Sequence, residues 1–453
     1  MKFWGYCCGL LLMVPAAPFL SAQNKTLAPT PPMGWNSWDS YGLTVTEDQF
    51  KANVDWFNKH LKQYGWQYVV IDEGWYLQHP ENAGNKGADQ GYTLDSNGRY
   101  TPAPNRFPST DGDAGLKPIA DYVHSMGLKF GIHIIRGIPK QAVEKNLPIA
   151  GSSFHASDAA NTSDLCAWNP DNYGVKDNAA GQAYYNSLAK LYAGWGLDFI
   201  KVDCISSPYR ASEIHQISRA LAASGRRIVL SLSPGPTPIE DADDVRRYAQ
   251  LWRISNDVWD VWKKPQDSKD AWFPQTISDQ FTLTAQWAPH VEPGHWPDAD
   301  MLPLGYLGPV PGWGKPRHTS LTDDEARTQV TLWSIARSPL FLGANLTRMD
   351  DFTESLLTNP EVIAVNQHSS GNKPVIQTPT TMVWTAEGAE GKSYLAVFNL
   401  ADSAQTVSHA WKELGFSKSG YAVRDVWQRK DLGPQPMLKV TLPPHASAFY
   451  SLQ

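Results

Sequence analysis

The sequence predicts an α/β fold: a (β/α)8 TIM barrel with a C-terminal antiparallel β-sandwich domain. Three observations carry that expectation. From Pro31 to about residue 345, short β-branched or apolar runs alternate with amphipathic helical stripes, the pattern of repeated βα units around a parallel sheet. Polar, mostly acidic residues recur at the ends of several of those runs, as a barrel mouth requires and a single nucleotide crevice does not. After about residue 370 the helical stripes stop, and short strands follow one another in TMVWTA, YLAVFNL, YAVRDVW and LKVTL.

The elements can be taken in order. PMGWNSW is the first strand. Thr46 caps a helix in which Phe50, Val54, Phe57 and Leu61 recur at three- and four-residue steps; Gly65 breaks it, and YVVID follows as a strand ending at Asp72. Leu116, Ile119 and Val123 stripe a helix closed by Gly127, and LKFGIH ends at His133. Tyr184, Leu188 and Leu191 stripe the next helix, before DFIKVD ends at Asp203. RIVLSLS to Ser233, LWRIS to Ser255, and PLFLGANL after a helix over Asp323 to Ile335 complete seven strands. An eighth is placed near Trp296 by elimination. The stretch from Arg136 to Trp168 is long for a βα loop and rich in Pro, Ala, Ser and Asn, so it is expected to form a lid or wall over a pocket.

At 453 residues the chain suits one large barrel plus a small domain, with boundaries expected at 1–22, 23–368 and 369–453. The first of these reads as a cleaved signal peptide: Lys2, then an apolar run interrupted by Pro15 and Pro18, then a small-residue exit at Ser21-Ala22. Secretion or periplasmic export is therefore expected, with no membrane span. Cys7 and Cys8 would leave with that peptide, and the remaining Cys166 and Cys204 suit either one disulfide or two buried thiols. A net charge of −6 offers no basic surface, so nucleic acid is not an expected partner and the substrate is expected to be neutral. The 19 Trp residues suit sugar-stacking platforms and the filling of a large core equally well. Trp384, Trp411 and Trp427, in the C-terminal part, are read as core.

Four strand ends present carboxylates: Asp72-Glu73, Asp203, Asp257 in WRISND, and Asp298/Asp300 in WPDADM. A carboxylate closing a buried strand is costly unless hydrogen-bonded or functional, so several on one barrel face suggest a polar pocket. Cleaving an acetal needs no metal or organic cofactor, only one carboxylate to attack or to activate water and another to protonate the leaving oxygen. Lys201 lies two residues before Asp203, on the same strand face, where it can hold that carboxylate ionised or bind a hydroxyl. Arg253 stands four before Asp257. No His/Cys ligand spacing or calcium loop accompanies the acids, so neither metal nor cofactor is expected.

The strings PPMGWNSWDSYG, IDEGWY, KFGIH, FIKVDC, WRISND, WPDADM and RSPLFLGANL stand in the order found in glycoside hydrolase family 27, the α-galactosidases and α-N-acetylgalactosaminidases. The chain resembles that family over about residues 30 to 370, and its C-terminal domain resembles the family's as well. The resemblance implies an exo-acting, retaining hydrolase of an oligosaccharide or polysaccharide, removing terminal α-galactosyl residues through a covalent glycosyl-enzyme. It places the nucleophile on Asp203, the acid/base on Asp257, and sugar-binding roles on Trp38, Asp72, Lys201, Arg253 and Asp300. It also implies a disulfide between Cys166 and Cys204. Three departures bear on the sugar. The usual Asp-Asp pair is Asp72-Glu73, whose extra methylene crowds a hydroxymethyl group and suits β-L-arabinopyranose, the galactose ring without C6. Leu232-Ser233 replaces a Cys-Glu near the sugar 2-position, as α-N-acetylgalactosaminidases have smaller residues there. His133 stands where a Tyr is usual. A β-L-arabinopyranosidase and an α-N-acetylgalactosaminidase are therefore the near alternatives, and a non-catalytic carbohydrate-binding protein the distant one.

Overall fold

The structure, a computed structural model, describes Met1 and residues 26–453 apart from 84, 86–87, 266–267, 271–272 and 309–313. The expected signal peptide lies outside the described residues. Eight parallel strands form one sheet: β1 (Met33–Asn36), β2 (Tyr68–Ile71), β3 (Lys129–Ile135), β4 (Phe199–Asp203), β5 (Val229–Leu232), β6 (Leu251–Arg253), β7 (Trp296–Asp298) and β8 (Leu340–Leu342). They are ordered β7-β6-β5-β4-β3-β2-β1-β8. Just past β7, Leu302 bridges Leu342 in parallel, which joins the two sheet edges and closes the barrel. The strand placed by elimination is β7.

The two-residue period of the strands sorts their side chains. Phe199 packs inside the barrel with Tyr68, Val70, Val229, Leu251, Trp296 and Phe341, whereas Ile200 and Val202 belong to the outer core that includes the helices. Lys201 and Asp203 share the face of Phe199 and therefore rise above it inside the barrel. The lumen is filled, not open: a Cβ at Gly34 would lie 2.6 Å from the Phe341 ring, and one at Gly131 2.9 Å from the Phe199 Cβ.

The helices follow the sequence signals. Thr46 and Gln49 form a capping box at the start of Glu47–His60, and Phe50, Val54 and Phe57 are buried along its inner face. Leu61 lies one residue beyond, as the C-cap. Asp323–Ile335 has the bounds read from the sequence. Several strand ends differ, β2 stopping at Ile71, one residue before Asp72, and β6 at Arg253, two before Ser255. β3 continues past His133 because Ile134 and Ile135 pair with Val202 and Asp203. β5 stops at Leu232, before Ser233, because the following Pro234 has no N–H for the ladder.

The long stretch after β3 is a folded wall. Ile138–Pro139, Asn172–Val175 and Ala160–Leu165 make a three-stranded antiparallel sheet, joined by two short helices. The disulfide implied by the resemblance is present: Cys166 in this wall bonds Cys204, the residue after β4.

The C-terminal domain has six strands in one antiparallel sheet, with two further strands, Gln405–His409 and Leu438–Leu442, paired across from it. Trp411 packs in the core between these layers. Trp384 is buried on the other side, where it joins Met382, Phe398 and Phe449 in the core of the barrel. Trp427 is only partly buried, and its indole donates to Thr331 Oγ1 of a barrel helix at 2.9 Å. Among the described residues, no helix is long and apolar enough to cross a membrane.

Candidate active site

The inward faces of the strands deliver their polar residues to one pocket at the C-terminal end of the barrel. Asp72 follows β2, His133 pairs with Lys201 across β3 and β4, Asp203 ends β4, and Arg253 ends β6 opposite Asp298 of β7. Nine of the sequence-predicted positions line this pocket: Trp38, Asp72, Glu73, His133, Lys201, Asp203, Arg253, Asp257 and Asp300. Ser233 does not. It is buried and lines a smaller cavity beneath, beside Ser231 and Asn36.

Charge organises the floor. Asp72 Oδ2 accepts from Asn36 Nδ2 at 2.6 Å and from Lys201 Nζ at 3.0 Å, and Oδ1 accepts from the Glu73 N–H at 2.8 Å. Burial alone would raise the Asp72 pKa, but Lys201 and His133 win and hold it below the usual carboxylate range. For Lys201, burial favours the neutral amine, yet Asp72, Asp203 and Asp300 together push its pKa up. Arg253 donates to Asp300 Oδ2 at 2.7 Å and to Asp257 Oδ1 at 3.2 Å. Burial raises Asp300, and Arg253 opposes it.

The two candidate catalytic acids differ in setting. Both oxygens of Asp203 are engaged: Oδ2 with His133 Nε2 at 3.1 Å, and Oδ1 with Trp168 Nε1, which donates at 3.2 Å. The Asp203 side chain is 15% exposed and that of Asp257 45%. One carboxylate is thus fixed inside the pocket, and the other stands at its mouth, in exchange with solvent.

Glu73 is strongly perturbed. Its Oε1 accepts from Asn169 Nδ2 at 2.6 Å, and burial with the nearby Asp203 and Asp72 pushes its pKa up to about 7, against the pull of His133. His133 is itself raised: burial lowers it, but Asp72 and Asp203 outweigh that. The native protein therefore keeps protons on Glu73 and His133 that the unfolded chain has already released. Stability is expected to fall as pH rises from about 5 through 7, the unfolded reference values being about 4.3 for Glu and 6.5 for His. The urea midpoint, compared at the two ends of that range, measures this. Glu73→Gln should flatten the dependence by removing one of the groups that the fold keeps protonated, Asp300 being another, and an unchanged slope would contradict the assignment.

Asp39, Trp168, Val258, Trp259 and Met301 line the pocket without having been singled out in the sequence, and Asn169 behind them holds Glu73. Trp168 and Asn169 lie in the wall, where no periodicity announces them. Asp39 lies between Trp38 and Ser40 in an otherwise recognised string; it is buried, its Oδ2 has no hydrogen-bond partner, and burial together with Asp300 raises its pKa well above normal. A Cβ at Gly343 would lie 1.9 Å from that oxygen, so the carboxyl packs against the bare backbone of the chain leaving β8.

A closed parallel barrel that gathers two carboxylates from different strands, within a pocket dense in hydroxyl-binding donors and acceptors and flanked by Trp38, Trp168 and Trp259, is the site of a glycoside hydrolase. Residues 30–144 and 171–368 match the family profile described as Alpha galactosidase A, and residues 378–452 match the Alpha galactosidase C-terminal beta sandwich domain. The chain belongs to this family, glycoside hydrolase family 27, and is a retaining glycoside hydrolase. Among solved structures it is similar to a β-L-arabinopyranosidase from Geobacillus stearothermophilus, with 44% identity over 94% of this chain and 97% of that one and a TM-score of 0.87. It is also similar to a putative α-N-acetylgalactosaminidase from Bacillus halodurans, with 40% identity over 95% of this chain and 98% of that one and a TM-score of 0.82. Alpha-galactosidase 2 of Arabidopsis thaliana is 28% identical over 100% of this chain and 97% of its own length.

Proposed function

We propose that the chain removes terminal β-L-arabinopyranosyl residues, with Asp203 as nucleophile and Asp257 as acid/base. The observation that carries this reading is Glu73, held beside Asp72 by Asn169 and reaching one methylene further into the pocket than the aspartate usual there. Asp72 and Lys201, an ionised pair, accept from and donate to the ring hydroxyls. Glu73, neutral below about pH 7, fills the space that a hydroxymethyl group at C5 would need. The 44% identity to a β-L-arabinopyranosidase supports the same choice over the α-galactosidases, whose curated sequences match at 26–30%.

In the first step an Asp203 oxygen, released from its Trp168 or His133 partner, attacks the anomeric carbon while neutral Asp257 gives its proton to the departing oxygen. In the second, Asp257 takes a proton from water, which attacks the same carbon and frees Asp203, leaving the anomeric configuration unchanged. Arg253, donating to Asp257, orients that carboxyl without blocking its exposed side. Export is also part of this reading, supported by the N-terminal apolar segment and by the disulfide.

The test compares nitrophenyl glycosides of β-L-arabinopyranose, α-D-galactose and α-N-acetylgalactosamine. The first is expected to have the highest kcat/KM. Glu73→Asp should move the arabinoside-to-galactoside ratio toward galactose by about tenfold or more, the scale of one methylene in a fitted pocket. A wild-type preference for galactose that Glu73→Asp leaves unchanged would remove the basis of the reading. The α-N-acetylgalactosaminidase alternative has in its favour the 40% identity to a putative enzyme of that kind, although Ser233 lies outside the pocket, and activity on the third glycoside would support it.

A further inference from the structure

We propose, resting on the reading of the chain as an exo-acting glycosidase, that Asp39 is a further substrate-binding residue, its carboxyl giving a hydrogen bond to one ring hydroxyl of the sugar in the pocket. Six carboxyl side chains line that pocket, against Lys201, Arg253 and His133. Five of them have a partner close by. Asp72 meets Lys201, Asp257 and Asp300 share Arg253, Asp203 meets His133, and Glu73 accepts from Asn169. Asp39 has no cation or amide of its own among the described residues: it is 3% exposed, and its Oδ2 is without a hydrogen bond. A buried polar group left bare costs free energy, and one that lines a binding pocket points to a ligand that completes it.

The chain around this carboxyl is held on every side. The Trp38 N–H donates to Asn36 Oδ1 at 2.8 Å, and the Asp39 carbonyl accepts from the Gly308 N–H at 2.9 Å, so the backbone is pinned before and after the side chain. The carboxyl packs against Gly343, where a Cβ would lie 1.9 Å from Oδ2 and displace it. Charge then settles where the proton is. Burial, and after it Asp300, drives the Asp39 pKa well above the usual carboxylate range, and Lys201 opposes them without prevailing. A carboxyl kept neutral in this way donates a hydrogen bond, whereas an ionised one can only accept. Its neighbours decide what receives that bond. Asp300, Lys201 and Asp72 act on it more strongly than Asp257 does, so it stands with the groups that hold the ring and not with the acid at the mouth. A sugar hydroxyl both accepts and donates, and can take a bond from Asp39 while giving its own proton to an ionised neighbour.

The test uses the full chain carrying Asp39→Ala or Asp39→Asn, with the nitrophenyl glycoside of β-L-arabinopyranose and the analogues of it that each lack one ring hydroxyl. Asp39→Ala is expected to lose about tenfold in kcat/KM on the parent glycoside, the scale of one hydrogen bond, and that loss should vanish on the one analogue missing the hydroxyl that Asp39 serves. Asp39→Asn, which keeps a donor in the same place, should recover most of the loss. A structural defect would cost the same on every glycoside, so the comparison decides even if alanine lowers the urea midpoint. An equal loss on all the glycosides, no loss on the parent, or a loss in Asp39→Asn as large as in Asp39→Ala overturns the assignment. If the wild type cleaves the α-galactoside and not the arabinoside, the proposed function fails, and the corresponding deoxygalactosides decide the role of Asp39 by themselves.

Discussion

Asp203→Ala is expected to lower kcat by roughly 10⁴-fold or more, the scale on which removal of an attacking group is read in covalent hydrolases. The reason lies in the placement of the carboxylate. It is the innermost of the two candidate acids, and the side chain fits between His133 and Trp168 with an oxygen toward each. Alanine removes the attacking atom while leaving the disulfide, the wall and Lys201 in place, so substrate binding should persist. Azide separates this role from that of Asp257. Added to Asp203→Ala with an activated glycoside, it can attack directly and should give a glycosyl azide of inverted configuration. Added to Asp257→Ala, it attacks the covalent intermediate and should give the retained azide. The product configuration, read by nuclear magnetic resonance, decides between the two carboxylates. Near-native hydrolysis by Asp203→Ala would end the assignment.

The largest expected effect on stability is that of Arg136→Met. The Arg136 side chain is 2% exposed and donates to three partners: Glu213 Oε1 at 2.6 Å, Asp164 Oδ1 at 2.8 Å and the Cys204 carbonyl at 2.7 Å. Glu213, itself buried, also accepts from the Tyr185 hydroxyl. Methionine keeps most of the volume but leaves Glu213 without its cation, and breaking a buried pair in this way costs about 3–5 kcal/mol. The loss should appear as a lower urea midpoint. It should shrink at low pH, where burial already favours the protonated form of Glu213. Adding Glu213→Gln should recover much of it; if the double variant is no better than the single one, the cost lies in packing instead of charge.

The barrel was legible because its strands announce themselves twice. Phe199, Lys201 and Asp203 alternate with Ile200 and Val202, and the alternation gives both the strand and the direction in which its polar residues point. The last strand to be placed, Trp296–Asp298, is no shorter than Leu251–Arg253 or Leu340–Leu342, but it lies in no apolar or β-branched run and has Pro297 at its centre. The wall was harder still. Its polar and small residues carry no apolar rhythm, and its contributions act across long gaps: 35 residues from Trp168 to Asp203, and 96 from Asn169 to Glu73. Ser233 marks the opposite case. Its match to a family position near the sugar 2-position suggested the sugar, but β5 ends one residue before it, and the side chain lines the smaller cavity beneath the pocket. Asp39 was hidden by its neighbours, because a string recognised as a whole does not reveal which of its members faces inward.

The sandwich shares one apolar interior with the barrel through Trp384, Phe398 and Phe449, and His445 reaches back to Glu325 at 2.7 Å. The chain therefore has two units of topology but one of inheritance. A gene fusion or truncation that cut after residue 368 would bare a greasy face on each fragment, so selection is bound to keep the pair together whatever the smaller half does for catalysis.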